Sequence, residues 1–151
     1  MAGSERFQYG LLSDGVIGLV HGEAEPDDES WEGHHRLIFE TMGPERFSEI
    51  GYFVITAGGA PTTKQRRMGN RAVKGRKMTR SIVTDSFVVR QLVTSWSWFA
   101  PGLTAYNPNQ MRAALLNVGI RPDQLEQAWV HVRELNAAIS PRVPWILETL
   151  G

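Results

Sequence analysis

Gly58 and Gly59 with Lys64 form the stretch of this sequence that most invites phosphate chemistry. A glycine turn that opens a helix can leave backbone N–H groups free, and such groups attract anions. The surrounding text, GYFVITAGGAPTTKQRR from Gly51 to Arg67, passes from apolar residues through the turn into cations. That turn can be a phosphate cradle, a phosphorylation switch or a plain bend, and the residue types leave all three open. A Walker motif places Lys and then Ser or Thr directly after its last glycine, and a dinucleotide fingerprint needs a third glycine. Neither spacing occurs, so no nucleotide cofactor is expected.

The histidines suggest no metal chemistry. His34 and His35 are adjacent, so on a helix their side chains leave the axis about 100 degrees apart. Glu32 and His35 share a helical face, but no second ligand set accompanies them. His21 and His131 are expected to be packed or solvated, and Ser86 beside Asp85 has no sequence reason to meet a histidine. No catalytic motif emerges, and the expectation is a protein without an enzymatic reaction, metal or cofactor.

The elements that must position the turn belong to a chain of 151 residues, 42% of them hydrophobic, enough for one core. Zero formal charge gives no global field toward nucleic acid or an anionic membrane, and both partners are disfavoured. Absence of cysteine fits a reducing compartment. With no apolar run long enough for a span, the expectation is a cytoplasmic protein. The neutral total hides an asymmetry. Residues 23 to 49 carry Glu23, Glu25, Asp27, Asp28, Glu29, Glu32, Glu40, Glu45 and Glu49 against Arg36 and Arg46 alone. Residues 64 to 80 carry Lys64, Arg66, Arg67, Arg71, Lys74, Arg76, Lys77 and Arg80 with no acid. These are either solvated faces that neutralise each other or a docking patch for an acidic protein.

Ser13-Asp14-Gly15 between two apolar runs predicts an opening hairpin over Phe7–Leu12 and Val16–His21. Asp27 or Asp28 should cap a helix that ends at Gly43-Pro44, and Ile50–Thr56 has the apolar continuity of a strand buried on both faces. Pro61 is placed in the first turn of a cationic helix. A strand over Thr79–Thr84 follows, then a helix capped by Asp85 or Ser86. Leu103–Tyr106 reads as an edge strand, and a helix capped by Asn107 or Asn109 stops at Gly119. Arg121-Pro122-Asp123 opens a last helix, broken at Ser140-Pro141. Trp96, Trp98 and Phe99 mark either core packing or a partner hot spot. Strands alternating with helices after a hairpin predict an α/β fold: a mixed, mostly parallel sheet with flanking helices, plus an extra C-terminal helix and tail.

That order of elements over roughly residues 6 to 119, with the text TDSFVVRQLVTSWSWF and YNPNQMRAALLNVGI, resembles STAS domains, the group of bacterial anti-sigma-factor antagonists and their SpoIIAA-like relatives. The resemblance implies a STAS-like domain over residues 1–120, with residues 121–151 packed on it or on a neighbouring subunit. It also implies a non-catalytic regulatory module that docks on a protein such as a kinase or an anti-sigma-type regulator. The alternative within the group is a small-molecule, lipid or nucleotide binder. Antagonists of this kind carry an Asp-Ser switch after the third strand. This chain has Ala57-Gly58-Gly59-Ala60-Pro61-Thr62-Thr63 there, leaving Thr62 and Thr63 as the phosphosite candidates. Gly58, Gly59, Lys64, Arg66 and Arg67 are the expected anion- or partner-binding residues. Trp145, Ile146 and Leu147 in the apolar tail are the expected self-association contact.

Overall fold

The computed structural model describes residues 2–43, 49–73, 78–97 and 102–151. The opening hairpin is present as β2 (Phe7–Ser13) and β3 (Val16–His21), preceded by a two-residue strand, β1 (Ala2–Gly3). Gly15, at φ 81°, turns the hairpin in a conformation that only glycine adopts without strain. Helix α1 (Asp28–Met42) starts where Asp27 accepts a hydrogen bond from Ser30 N at 3.0 Å and stops at Gly43. Burial pushes the Asp27 carboxyl up, but hydrogen bonds from Ser4 and Ser30 outweigh it and hold the group below its ordinary value.

The chain then alternates through β4 (Gly51–Thr56), α2 (Thr63–Val73), β5 (Thr79–Val83), α3 (Phe87–Ser97) and β6 (Leu103–Tyr106). Helices α4 (Met111–Asn117) and α5 (Leu125–Ala137) follow, each entered through a single 3-10 turn, Pro108–Gln110 and Pro122–Gln124. The six strands lie in sequence order, β1 to β6. The pairs β1–β2 and β2–β3 are antiparallel and the rest parallel, so the sheet is mixed and mostly parallel. This is the expected α/β class.

Alternation of side chains across the strands separates two cores. On one face Phe7, Tyr9, Ile17, Leu19 and Tyr52 meet Trp31 and Ile38 of α1, with Met68 and Ala72 of α2 beside them. On the other, Val16, Val20, Phe53, Ile55 and Val83 meet α4 and α5 through Ala114, Leu115, Ala128, Trp129 and Val132. Ser81 on β5 donates to Ala114 O at 2.8 Å, which pins α4 to the sheet. The tail folds back on this second core: Asn136 holds Val143 by both backbone groups, at 2.8 and 3.1 Å, and Trp129 Nε1 donates to Leu147 O at 3.0 Å.

One expected boundary moves. Pro61 lies outside α2, which begins at Thr63, because Thr62 takes the capping position. The side chains of Trp96, Trp98 and Phe99 fall outside the described residues, as do Lys74, Arg76 and Lys77.

Candidate functional site

The parallel strands bring the turn to the carboxyl rim of the sheet, where His21 pairs with Thr56. In α/β sheets this rim is where recognition concentrates. The turn is stitched inward. Thr56 Oγ1 donates to Gly59 O at 2.6 Å and accepts from Gly58 N at 3.0 Å, while Gly59 N donates to Gly22 O at 3.0 Å. Both glycine N–H groups are thereby satisfied within the chain, so neither is free to receive an anion. Gly58 is exposed at φ 128°, and Gly59 is buried. A Cβ on Gly59 would run into the carbonyl oxygens of Gly22 and Ala24, which makes this glycine a close-approach requirement.

Thr62 and Gln65 then form a reciprocal cap. Thr62 Oγ1 accepts from Gln65 N at 3.1 Å, and Gln65 Oε1 accepts from Thr62 N at 2.9 Å. Gln65 does more. It is 1% exposed, its Nε2 donates to Pro26 O at 2.8 Å and to Asp28 Oδ1 at 3.0 Å, and its carbonyl accepts from Trp31 Nε1 at 3.0 Å. One side chain therefore joins the start of α2 to the start of α1. The pattern T-x-x-Q at residues 62–65 is a capping-box signature and could have been read from the sequence.

The two threonines differ. Thr62 is half-buried and occupied as a cap, whereas Thr63 is exposed and accepts from the Arg66 guanidinium at 3.2 Å. Replacing Thr62 with alanine should cost about 1 kcal/mol through the lost cap. A thermal melt should report it as a drop of a few degrees, and an unchanged midpoint would contradict the capping role.

Lys64, Arg66, Arg67 and Arg71 are all exposed along α2. Lys64 reaches Asp28 of α1 at 3.1 Å, with both side chains more than half exposed, so the pair contributes little stability. The hydrogen bonds from Lys64 and Gln65 hold the Asp28 carboxyl below its ordinary value. At the same rim Ser86 caps α3 by accepting from Val89 N at 3.2 Å. Helix α3 exposes Phe87 at 65%, Val88 at 66% and Leu92 at 47%; Val88 and Leu92 share one helical face, and Phe87 lies in the first turn beside them. β4 and β5 are hydrogen-bonded neighbours, so α2 and α3 spring from adjacent strand ends. A cationic helix and a helix with exposed apolar side chains thus follow neighbouring strands, a pairing that the sequence did not reveal.

The histidines lie where sequence reasoning did not place them together. His34 and His35 diverge at the backbone, yet their ring centroids are 4.0 Å apart beneath α1. His21 joins them through Phe7, at 4.7 Å from His21 and 5.4 Å from His34. Burial lowers all three, His21 to about 4 and His34 well below its ordinary value. Among the described residues no three His, Asp or Glu side chains converge as metal ligands.

A depression of about 270 Å3 between β2 and α1 is lined by Tyr9, Gly33, Arg36, Leu37 and Glu40, a mixed polar lining unlike the apolar cavity an acyl chain needs. In the tail, Trp145 and Ile146 pack partly buried against the chain's own core, and Leu147 is 65% exposed. Among the described residues no helix is long and apolar enough to cross a membrane. Compared with family models, curated proteins and solved structures, the chain matches none.

Proposed function

We propose that the chain is a non-catalytic regulatory module of the STAS-like kind, which docks on an acidic protein partner through the rim where α2 and α3 begin. The observation that carries this reading is the exposed Phe87, Val88 and Leu92 of α3, whose preceding strand β5 pairs with β4, the strand that leads into α2 with its exposed Arg67 and Arg71. An apolar centre edged by arginine is the usual composition of a binding patch. It also fits a partner that presents carboxylates around apolar residues, since steering between opposite charges speeds and orients association. The partner is a bacterial kinase or anti-sigma-type regulator in the cytoplasm. Thr63 is the better regulatory position of the two threonines: a phosphate there would meet Arg66 while cancelling positive charge on the docking helix.

The test uses the intact chain, immobilised, against a bacterial lysate, with a double reversal Arg67→Glu and Arg71→Glu and a separate Leu92→Asp. All three positions are exposed, so the melting temperature should hold within a degree or two. An acidic protein retained by the native chain should bind at least about tenfold more weakly to each variant, and added salt should weaken the native interaction. If both variants retain the same proteins with the same affinity, the rim is not the docking surface.

A further inference from the structure

His21, His34 and His35 are 4%, 2% and 8% exposed, a concentration of titratable groups that packing alone does not require. Phenylalanine or leucine would fill the same space without a polar atom. Here Nδ1 of His21 and Nδ1 of His34 are both sealed from solvent with no hydrogen-bond partner, a costly arrangement. The rings touch one another and the aromatic floor: Trp31 stands 4.5 Å from His34 and 5.5 Å from His35.

The cluster lies at the seam between α1 and α2. His35 Nδ1 is bonded to Trp31 O at 3.1 Å, and its Nε2 faces Gly69 of α2, 3.5 Å from where a Cβ would sit. Trp31, which the imidazoles of His34 and His35 meet edge-on, is the residue that reaches across to the α2 backbone at Gln65.

Among the described residues the Trp31 carbonyl alone favours protonation of His34 and His35, and burial outweighs it. Tyr9 faces it from β2 and Tyr52 from β4, both neutral phenols whose ionisation burial disfavours. The charged influences on His34 are His35 from α1 and His21 from β3, and both oppose protonation. From α2 the facing groups are the uncharged Gln65, Met68 and Gly69. No carboxylate acts on any of the three imidazoles among the described residues.

We infer that His21, His34 and His35 form an acid-sensitive latch, closed while the imidazoles are neutral, whose protonation opens the α1–α2 seam and releases α2 from the sheet. The sign follows from linkage. A solvated imidazole titrates near 6.5, whereas burial holds His21 at about 4, so the open state binds more protons between those values. The closed state is fully favoured above about pH 6.5 and loses ground as pH falls toward 4. His21 alone shifts the closed-to-open ratio on the order of 50-fold between pH 7 and 4.5. Opening should be local, because α4 and α5 pack on the other face of the sheet.

Hydrogen exchange of the full chain at pH 7 and 4.5, corrected for intrinsic rates, tests the latch. Peptides covering 28–42 and 63–73 should lose at least about tenfold more protection than peptides covering 125–137, and His21→Leu and His34→Leu should each reduce that selective loss. Imidazole proton resonances of the unsubstituted chain decide the matter if the variants do not fold. Resonances that stay silent until the seam opens, then titrate in step with it, support the latch. Imidazoles that titrate near 6.5 in the closed fold, or seam protection unchanged at pH 4.5, overturn it.

Discussion

Replacement of Gln65 by alanine is expected to lower stability by about 3 kcal/mol, and the melting temperature by roughly 6 to 12 °C. The buried amide loses its bonds to Pro26 O and from Thr62 N, each contributing about 1 kcal/mol, and its side-chain packing contributes a similar amount. Asp28, the third partner, is solvated and is left out of that sum. The effect should also have a location. Trp31 Nε1 donates to the backbone of residue 65, so a mobile α2 should accelerate exchange of that indole proton specifically. Gln65→Met, which keeps the volume but not the hydrogen bonds, should recover only the packing share. A melt for Gln65→Ala within a degree of the native chain would show that the two helix starts are not joined through this side chain.

Trp129→Ala should cost more, about 4 kcal/mol, because an indole 3% exposed is removed from the core between α5 and the sheet. Trp129 also donates to Leu147 O at 3.0 Å, so its loss frees the tail at the same time. Trp129→Phe separates the two contributions: most of the packing survives, about 1 kcal/mol of hydrogen bonding is lost, and proteolysis after residue 140 should become faster. Equal stability of Trp129→Ala and the native chain, measured by urea unfolding, would mean that α5 is not part of the core.

The hairpin was legible because Ser13-Asp14-Gly15 specifies a turn by local chemistry, and the limits of α1 because Asp27 and Gly43 are its own caps. Local codes of this kind survive in a single sequence. The two-residue β1 was not legible, since Ala2 and Gly3 have no pattern and pair only because Gln8 and Tyr9 are already extended. Pro61 was drawn into the helix by its own preference, although the T-x-x-Q pattern one residue later marks the true start. Beyond the hairpin, strand order escaped the sequence: alternation fixes the class of sheet but not which strands are neighbours.

The candidate site divides in the same way. The exposed basic run could be read from charge alone, whereas its pairing with Phe87, Val88 and Leu92 depends on β4 and β5 being adjacent. The histidine contacts depend on His21 of β3 facing a helix that begins seven residues later, after a bend whose direction no local pattern encodes. Gly59 reads in the sequence as an anion- or partner-binding turn residue, and its constraint comes from the carbonyls of Gly22 and Ala24, far away in the chain.

The last helix covers the first strands: α5 packs against β2 and β3, near the opposite end of the chain. During synthesis, Leu12, Val16 and Val20 of the hairpin therefore stand without their covering helix until residues 125–143 leave the ribosome. The hairpin and the helix that covers it meet only across most of the chain, and contacts of such long sequence separation are the kind that slow folding. A product cut short before α5 would carry a naked apolar sheet face, the kind of surface that chaperones hold and proteases clear.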